Sequence, residues 1–311
     1  MLVTIAGCGA LGSLLAARMM EGGLEVQAFQ RDGAHSEVLT RRGITIEGDR
    51  GGVSRTFPLK KVSSRPEDLQ HSRLILVMVK SYDTDKVGSV QSILEKDGVV
   101  LTLQNGLGNA QTLAGSFGEH RVAAGITNYA AFRISPGVIG WGGDGQITFG
   151  SWQKDRPMDW VCALLKEAGL NTSYVADPRP FLWKKVAVNA TINTITALTG
   201  LCNGDLLKSE PVLEMMKKIC EETITAAERS GVELDNKDIW EMVVSTMKMT
   251  SRNRSSMLQD VEKGRKTEIE SIAGSILKLA RDREEFPHTR TLYSLIRSMD
   301  ESTERKGSIP S

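Results

Sequence analysis

Cysteine and histidine are scarce in this chain of 311 residues, with four of each. Cys8, Cys162, Cys202 and Cys220 show no C-x-x-C spacing, and His35, His71, His120 and His288 are scattered, so no metal site is expected. Four thiols without a pairing framework fit a reducing cytoplasm better than a disulfide-built secreted fold. Charge of one sign is missing too. Lys+Arg number 39 against 38 Asp+Glu, a formal net charge of +1, which leaves no electrostatic footprint for nucleic acid or an anionic membrane. No charge-free apolar run reaches the roughly 20 residues of a transmembrane helix. No basic segment precedes the apolar N-terminal run and glycines interrupt it, so a signal peptide is not expected. Internal repeats and low-complexity tracts are absent. These absences agree with a soluble enzyme without establishing an activity, and the length is enough for two cores. A homodimer is compatible with the sequence.

What is present begins at the N-terminus. Met1 to Ala6 (M-L-V-T-I-A) reads as a short buried strand, and a helix rich in Ala, Leu and Met runs to about Glu21. Between them stand Gly7, Cys8, Gly9, Ala10, Leu11 and Gly12, a G-x-G-x-x-G in the strand–turn–helix setting that gives the pattern meaning. Gly7 permits the tight turn, Gly9 lets backbone approach a pyrophosphate, and Gly12 lets the helix pack closely on the strand. The helix N-terminus then offers free N–H groups and partial positive charge to phosphates. Cys8 reads as a small filler of the turn.

A second strand, Glu25 to Gln30, ends at Arg31. A carboxylate near this strand end suits the ribose hydroxyl of NAD, whereas an arginine suits the 2′-phosphate of NADP. Gln30-Arg31 therefore favours NADPH. Asp32 follows at once, however, and a shift of one residue reverses the argument; Arg31 also reads as a solvated loop charge. Further strands are expected at Arg73 to Val79, ending at Lys80, and at Gly98 to Leu103, ending at Gln104-Asn105-Gly106-Leu107-Gly108. Arg121 to Thr127, a hairpin-like stretch from Ile134 to Gly150, and Asn171 to Val175 complete the set. Ligands of open α/β sheets sit outside the carboxyl ends of the strands, where Lys80 and Asn105 fall, although Asn-Gly is equally a common turn pair.

After Asp177-Pro178 the pattern turns helical, with helices expected over Phe181 to Leu198, Pro211 to Gly231, Asp238 to Val261, Thr267 to about Arg283 and Thr291 to Met299, then a frayed tail from Gly307 to Ser311. The expected fold is therefore α/β: a Rossmann-type dinucleotide-binding domain over residues 1–176 and an all-α domain over residues 177–311. The run F-L-W-K-K-V-A-V-N-A-T-I-N-T-I-T-A-L carries Lys185, Asn189 and Asn193 at steps of four, within roughly 80° of one another on a helix. Its β-branched residues would also suit a strand, but eighteen residues without Gly or Pro is a helix length. Buried polar groups need partners. The stripe reads either as a site that holds something polar, or as a snorkelling lysine with two amides that cap neighbouring backbone.

In the last third, Asn253 and Ser256 lie three apart, on one face of the expected helix. Thr267-Glu268-Ile269-Glu270 has capping-box spacing, with Thr267 as N-cap and Glu270 at N3. Glu268 is left without that structural task; a carboxylate there is favoured by the helix dipole in any case, and a catalytic role is the other reading.

These segments together resemble the ketopantoate reductases (2-dehydropantoate 2-reductases) over nearly the whole chain. The residues that carry the resemblance are G-C-G-A-L-G at 7–12, Lys80 after L-I-L-V-M-V, and Gln104 to Gly108. L-W-K-K-V-A-V-N-A-T-I-N at 182–193, Asn203-Gly204-Asp205-Leu206, S-S-M-L-Q-D-V at 255–261 and K-T-E-I-E at 266–270 complete it. The resemblance implies NADPH-dependent reduction of the 2-keto group of ketopantoate to pantoate, on the path to pantothenate and coenzyme A. It implies Lys185 as the general acid and Glu268 as the group that orients it, with Asn105 near the nicotinamide. Asn189, Asn193, Asn253 and Ser256, with Asn105, would bind the 2-keto acid, and Arg31 and Lys80 would contact the NADPH phosphate and ribose. The chain departs from the family where Thr194-Ile195 replaces a usual Pro-Leu, where Glu270 and Ala273 replace Asp and Asn, and at Pro287-His288-Thr289, usually P-x-N. The departures put the substrate in question and leave a reductase of another 2-keto acid as an alternative; a non-catalytic NADP(H)-sensing protein is a separate one, against which the intact Lys185 and Glu268 argue.

Overall fold

The computed structural model describes residues 1–49, 52–153 and 156–307. The chain divides into two compact units, one of residues 1–104 with 109–178, the other of residues 105–108 with 179–311. Its strands are β1 (Leu2–Ala6), β2 (Glu25–Phe29), β3 (Ile44–Glu47), β4 (Arg55–Phe57), β5 (Val62–Ser63), β6 (Ser72–Val77), β7 (Leu94–Thr102), β8 (Val122–Thr127), β9 (Ala130–Ser135), β10 (Val138–Gly143), β11 (Ile147–Ser151) and β12 (Thr172–Tyr174). Helices α1 (Ala10–Glu21), α2 (Ala34–Arg42), α3 (Asn109–Phe117) and α4 (Asp159–Glu167) belong to the first unit. The helical unit holds α5 (Arg179–Val188), α6 (Thr194–Thr199), α7 (Glu210–Arg229), α8 (Asn236–Met249), α9 (Ser256–Glu262), α10 (Ala273–Leu277) and α11 (Pro287–Gly307).

The first unit is built on an eight-stranded sheet of order β12-β11-β8-β7-β6-β1-β2-β5. From β8 to β5 every pairing is parallel, and only β11 runs antiparallel to β8. Strands covered on both faces read as continuous apolar runs, which is the pattern of Leu74 to Val77 and, apart from the buried Thr4, of Val3 to Ala6. The hairpin-like stretch resolves differently from expectation. Strands β9 and β10 form the hairpin, but in a second sheet of order β4-β3-β10-β9, while β11 returns to the main sheet. Ile44, Ile46, Phe57 and Ile139 of this small sheet share one core with α1 and the main sheet, so α1 is buried on nearly every side from Gly12 to Met19. Arg18 therefore lies only 3% exposed, and Asp49, 1% exposed, meets it with two hydrogen bonds of 3.1 and 2.6 Å. A buried guanidinium needs such pairing, because an uncompensated interior charge is strongly destabilising.

The helical unit has its own core, to which α7 contributes Met216, Ile219, Cys220, Thr223, Ile224 and Ala227 at the spacing of one helix face. Three expectations are corrected here. The helix drawn over Asp238 to Val261 is two, α8 and α9, because the polar run Thr250 to Ser255 offers local hydrogen bonds that compete with helix. Ser255 caps the new start by accepting from Leu258 N (3.1 Å). The expected helix from Thr267 is a non-helical turn up to Ile272, followed by the short α10. Its capping box does not form, since Glu270 bonds Tyr293 and Arg297 of α11. The terminal helix α11 is longer than Thr291 to Met299, and of the expected tail residues 308–311 lie outside the described residues.

Candidate active site

The stripe at Lys185 is helical throughout, but Asn189–Asn193 forms a π-helical turn between α5 and α6. Four α-helical residues overshoot a full turn by about 40°; a π-turn needs more residues per turn, so four of them fall short. The swing from Lys185 to Asn189 is therefore undone between Asn189 and Asn193, and the three side chains fan less than a regular helix would spread them. The turn's threonines fit this geometry. Thr191 Oγ1 donates to Ala187 O, Thr194 Oγ1 to Ala190 O and Thr196 Oγ1 to Ile192 O, occupying carbonyls along the perturbed ladder.

Lys185 is half-buried, and desolvation drives its pKa down from the ordinary 10.5 to about 8, with the charge of Glu268 acting the other way. Glu268 is 6% exposed. Its Oε2 accepts from Asn105 Nδ2 at 3.3 Å, so Asn105, Glu268 and Lys185 are brought into one constellation of the helical unit. Asn105 reaches it because the 105–108 loop lies on the 268–272 turn, where Leu107 N donates to Ser271 O (2.8 Å). Gly106 makes the contact possible: its φ is +82°, and a Cβ there would stand 2.4 Å from Ser271 Oγ.

Asn189 and Asn193 are both 8% exposed. Asn193 Nδ2 donates to Ser256 Oγ at 3.4 Å, and beside it the hydroxyls of Thr196 and Ser255 are hydrogen-bonded at 2.7 Å, which fixes the start of α9 against the π-turn. Among the described residues Asn189 Nδ2 is a buried donor with no acceptor. Asn253 is not on a face shared with Ser256. It lies exposed in the break before α9, held through its backbone by Asn203 N (3.0 Å) and Thr250 O (2.8 Å). Asn203 itself was not among the expected site residues, and the structure draws attention to it: it is buried, its Nδ2 donates to Thr250 Oγ1, and its Oδ1 has no donor among the described residues. The Asn-Gly-Asp that contains it entered the sequence reading only among the segments that carry the family resemblance.

The remaining candidates lie in the first unit. Gly7 has φ +98°, and a Cβ there would come within 2.5 Å of Val79 N; at Gly12 a Cβ would stand 2.2 Å from Gly7 O. Packing thus requires both glycines. A Cβ at Gly9 would meet nothing within 4 Å, so the protein itself does not require glycine there, and this open face is what a pyrophosphate would use. Gly9 is also the N-cap of α1, whose first turn begins at Ala10 and Leu11, while Cys8 is fully buried. Arg31 is exposed just beyond β2. Asp32 is engaged elsewhere, accepting from Ser64 Oγ at 2.9 Å. Lys80 stands half-buried past the end of β6, before a single turn of 3-10 helix. Among the described residues no group of three His, Cys, Asp or Glu is placed to hold a metal, and no helix is long and apolar enough to cross a membrane.

A glycine turn of dinucleotide type, with a desolvated lysine beside a buried carboxylate in a separate helical unit, defines a nicotinamide-dependent oxidoreductase. Comparison with known proteins makes the class specific. The family model for ketopantoate reductase PanE/ApbA matches residues 3–154, and that for its C-terminal part matches residues 178–300. The 2-dehydropantoate 2-reductase of Halobacterium salinarum is 33% identical over 96% of this chain and 98% of its own length. That of Archaeoglobus fulgidus is 34% identical over 96% and 97%. Among solved structures, a PanE/ApbA family ketopantoate reductase from Ralstonia eutropha has a TM-score of 0.88 at 27% identity, covering 98% of this chain and all of that one. A D-mandelate dehydrogenase solved with NADH and anilino(oxo)acetate has a TM-score of 0.92 at 23% identity over 98% and 99%, a likeness of fold. The chain belongs to the ketopantoate reductase family.

Proposed function

We propose that this protein reduces 2-dehydropantoate (ketopantoate) to pantoate with NADPH, in the supply of pantothenate and coenzyme A. The observation that carries the reading is half-buried Lys185 beside buried Glu268, in the unit that also holds the amide stripe. When bound, NADPH supplies the hydride that adds to the 2-keto carbon. Negative charge then builds on the keto oxygen, and Lys185 Nζ is the group that neutralises it by giving up a proton. An acid with a pKa of about 8 is mostly protonated at neutral pH, yet gives its proton more readily than an ordinary lysine. Glu268 holds the ammonium in its charged form against desolvation. Asn105 keeps that carboxylate in place.

Substrate binding falls to Asn189, Asn193 and Ser256, at the π-turn and the start of α9; for Asn253, exposed in the break before α9, only the family resemblance supports that role. The Nδ2 of Asn189, buried without an acceptor among the described residues, suits an oxygen of a hydroxylated keto acid. In the first unit the Gly7–Gly12 turn and the start of α1 suit the pyrophosphate, with Lys80 near the ribose. Preference for NADPH over NADH rests on Arg31 for the 2′-phosphate, and Asp32, turned to Ser64, does not oppose it. The four cysteines are free thiols, in keeping with a cytoplasmic enzyme.

The experiment follows NADPH absorbance with purified protein and ketopantoate, with NADH and other 2-keto acids as comparisons. Oxidation that needs both NADPH and ketopantoate is expected. Oxidation with another keto acid alone would move the substrate and keep the chemistry, whereas none with any acid, despite tight NADPH binding, would leave a sensor of the cofactor.

A further inference from the structure

His35, the second residue of α2, is buried and makes two hydrogen bonds that tie this helix to two loops of the first unit. Its Nδ1 lies 2.9 Å from Gly137 N, in the turn between β9 and β10. A backbone N–H can only donate, so Nδ1 is the acceptor and the ring proton sits on Nε2. That Nε2 lies 2.6 Å from Cys8 O, inside the glycine turn, and donates to it. Ser13 Oγ donates to the same carbonyl at 3.0 Å. Burial holds the imidazole pKa below its usual value and the nearby Arg133 charge acts the same way, against the Cys8 hydrogen bond, so the neutral tautomer is the form present at neutral pH.

The Cys8 carbonyl and the Gly9 N–H belong to one planar trans peptide and so point in opposite directions. With the carbonyl held inward by His35 and Ser13, the Gly9 N–H is turned outward, on the residue whose missing Cβ leaves an open face. We propose that His35 is a positioning residue for the cofactor: by holding the Cys8 carbonyl it aims the Gly9 N–H at the pyrophosphate, and through Gly137 it ties that aim to the small sheet. The inference rests on the reading that the first unit binds NADPH. It gives the small sheet a task in binding that its own residues, remote in sequence from the glycine turn, do not announce.

The test separates the two bonds. His35→Gln places an amide Nε2 where the ring's donor stands and loses the acceptor toward Gly137. His35→Asn keeps an acceptor toward Gly137 and loses the donor to Cys8. A merely structural histidine would tolerate or resent both changes alike. The positioning role predicts an NADPH Kd for His35→Gln within about twofold of the unaltered chain, and one about three- to tenfold weaker for His35→Asn, the worth of one hydrogen bond. The loss should appear in the KM for NADPH more than in that for the keto acid. Ser13→Ala, which removes the second donor on Cys8, should behave like His35→Asn and supplies the same contrast if that variant folds poorly. Fluorescence titration of NADPH, with thermal melts run alongside, gives the answer. Equal affinities in the Gln and Asn variants, or a weaker Gln variant, would overturn the inference alone. Failure of the unaltered chain to bind any nicotinamide cofactor would overturn the reading beneath it as well.

Discussion

If Lys185 is the proton donor, its depressed pKa must appear in the pH dependence of the reaction. Desolvation places that pKa at about 8, more than two units below the ordinary lysine value of 10.5. The acid form is the active one, so kcat/KM for ketopantoate should be level below about pH 7 and fall above pH 8. By pH 9 roughly a tenth of the plateau should remain, whereas an unperturbed lysine would hold the plateau to about pH 9.5. The sign of a second change follows from the same pair. The Glu268 charge raises the Lys185 pKa, so Glu268→Gln should move the descending limb to lower pH. Lys185→Arg should abolish the limb at whatever activity survives, because a guanidinium does not deprotonate in this range. The assay is initial-rate NADPH oxidation from pH 6 to 10, repeated with NADPH deuterated at the transferred position so that the limb is read on hydride transfer. A profile level to pH 9.5, or a limb unmoved by Glu268→Gln, would refute the assignment of the acid.

Other expectations follow from single side chains. Lys185→Ala should lower turnover by about two to four orders of magnitude with NADPH binding retained, checked by steady-state rates beside a cofactor titration. Arg31→Ala should weaken NADPH about tenfold or more and leave NADH nearly unaffected; equal changes for the two cofactors would remove the 2′-phosphate role. Asn189→Leu replaces a buried donor that has no acceptor among the described residues, and should stabilise the fold by about 1 kcal/mol while raising the KM for ketopantoate. A melting temperature that falls together with an unchanged KM would show Asn189 to be a structural amide.

The parts of the fold that could be read from the sequence are those whose signals are local. The G-x-G-x-x-G between β1 and α1 is one, and the buried runs of β6 and β7 are others. The small sheet was not readable, because its strands are short and its decisive pairing is distant: β3 lies parallel to β10, with Thr45 opposite Val138. Helix α2 was missed for a different reason. A-H-S-E-V-L-T-R-R offers only His35, Ser36 and Leu39 to the interior, too little apolar periodicity to mark a helix. The break between α8 and α9 has neither glycine nor proline. It is made by Thr250 to Ser255 competing for backbone, by Asn203 N and Gly204 N donating to Asn253 O and Ser251 O, and by Ser255 capping α9.

The same kind of long-range competition shapes the candidate active site. A capping box at Thr267 would have begun a helix, placing Glu268 in its first turn with its charge toward solvent and the dipole as its partner. Instead Asp300 takes both Thr267 N (3.0 Å) and Thr267 Oγ1 (2.8 Å), and Ser271 O takes Leu107 N from the 105–108 loop. With those groups committed elsewhere, the segment runs as a turn to Ile272, and Glu268 is buried beside Asn105, a residue 163 positions away. The identities of Lys185 and Glu268 were legible in the sequence, the lysine from its apolar helix and both from the family resemblance. Their pairing was implied by the resemblance alone; the spacing did not announce it, since it depends on a helix that fails to form. That failure has a consequence for the chemistry: a carboxylate in an exposed first turn would be screened by water. Buried in the turn, its charge raises the Lys185 pKa, against the larger desolvation that lowers it.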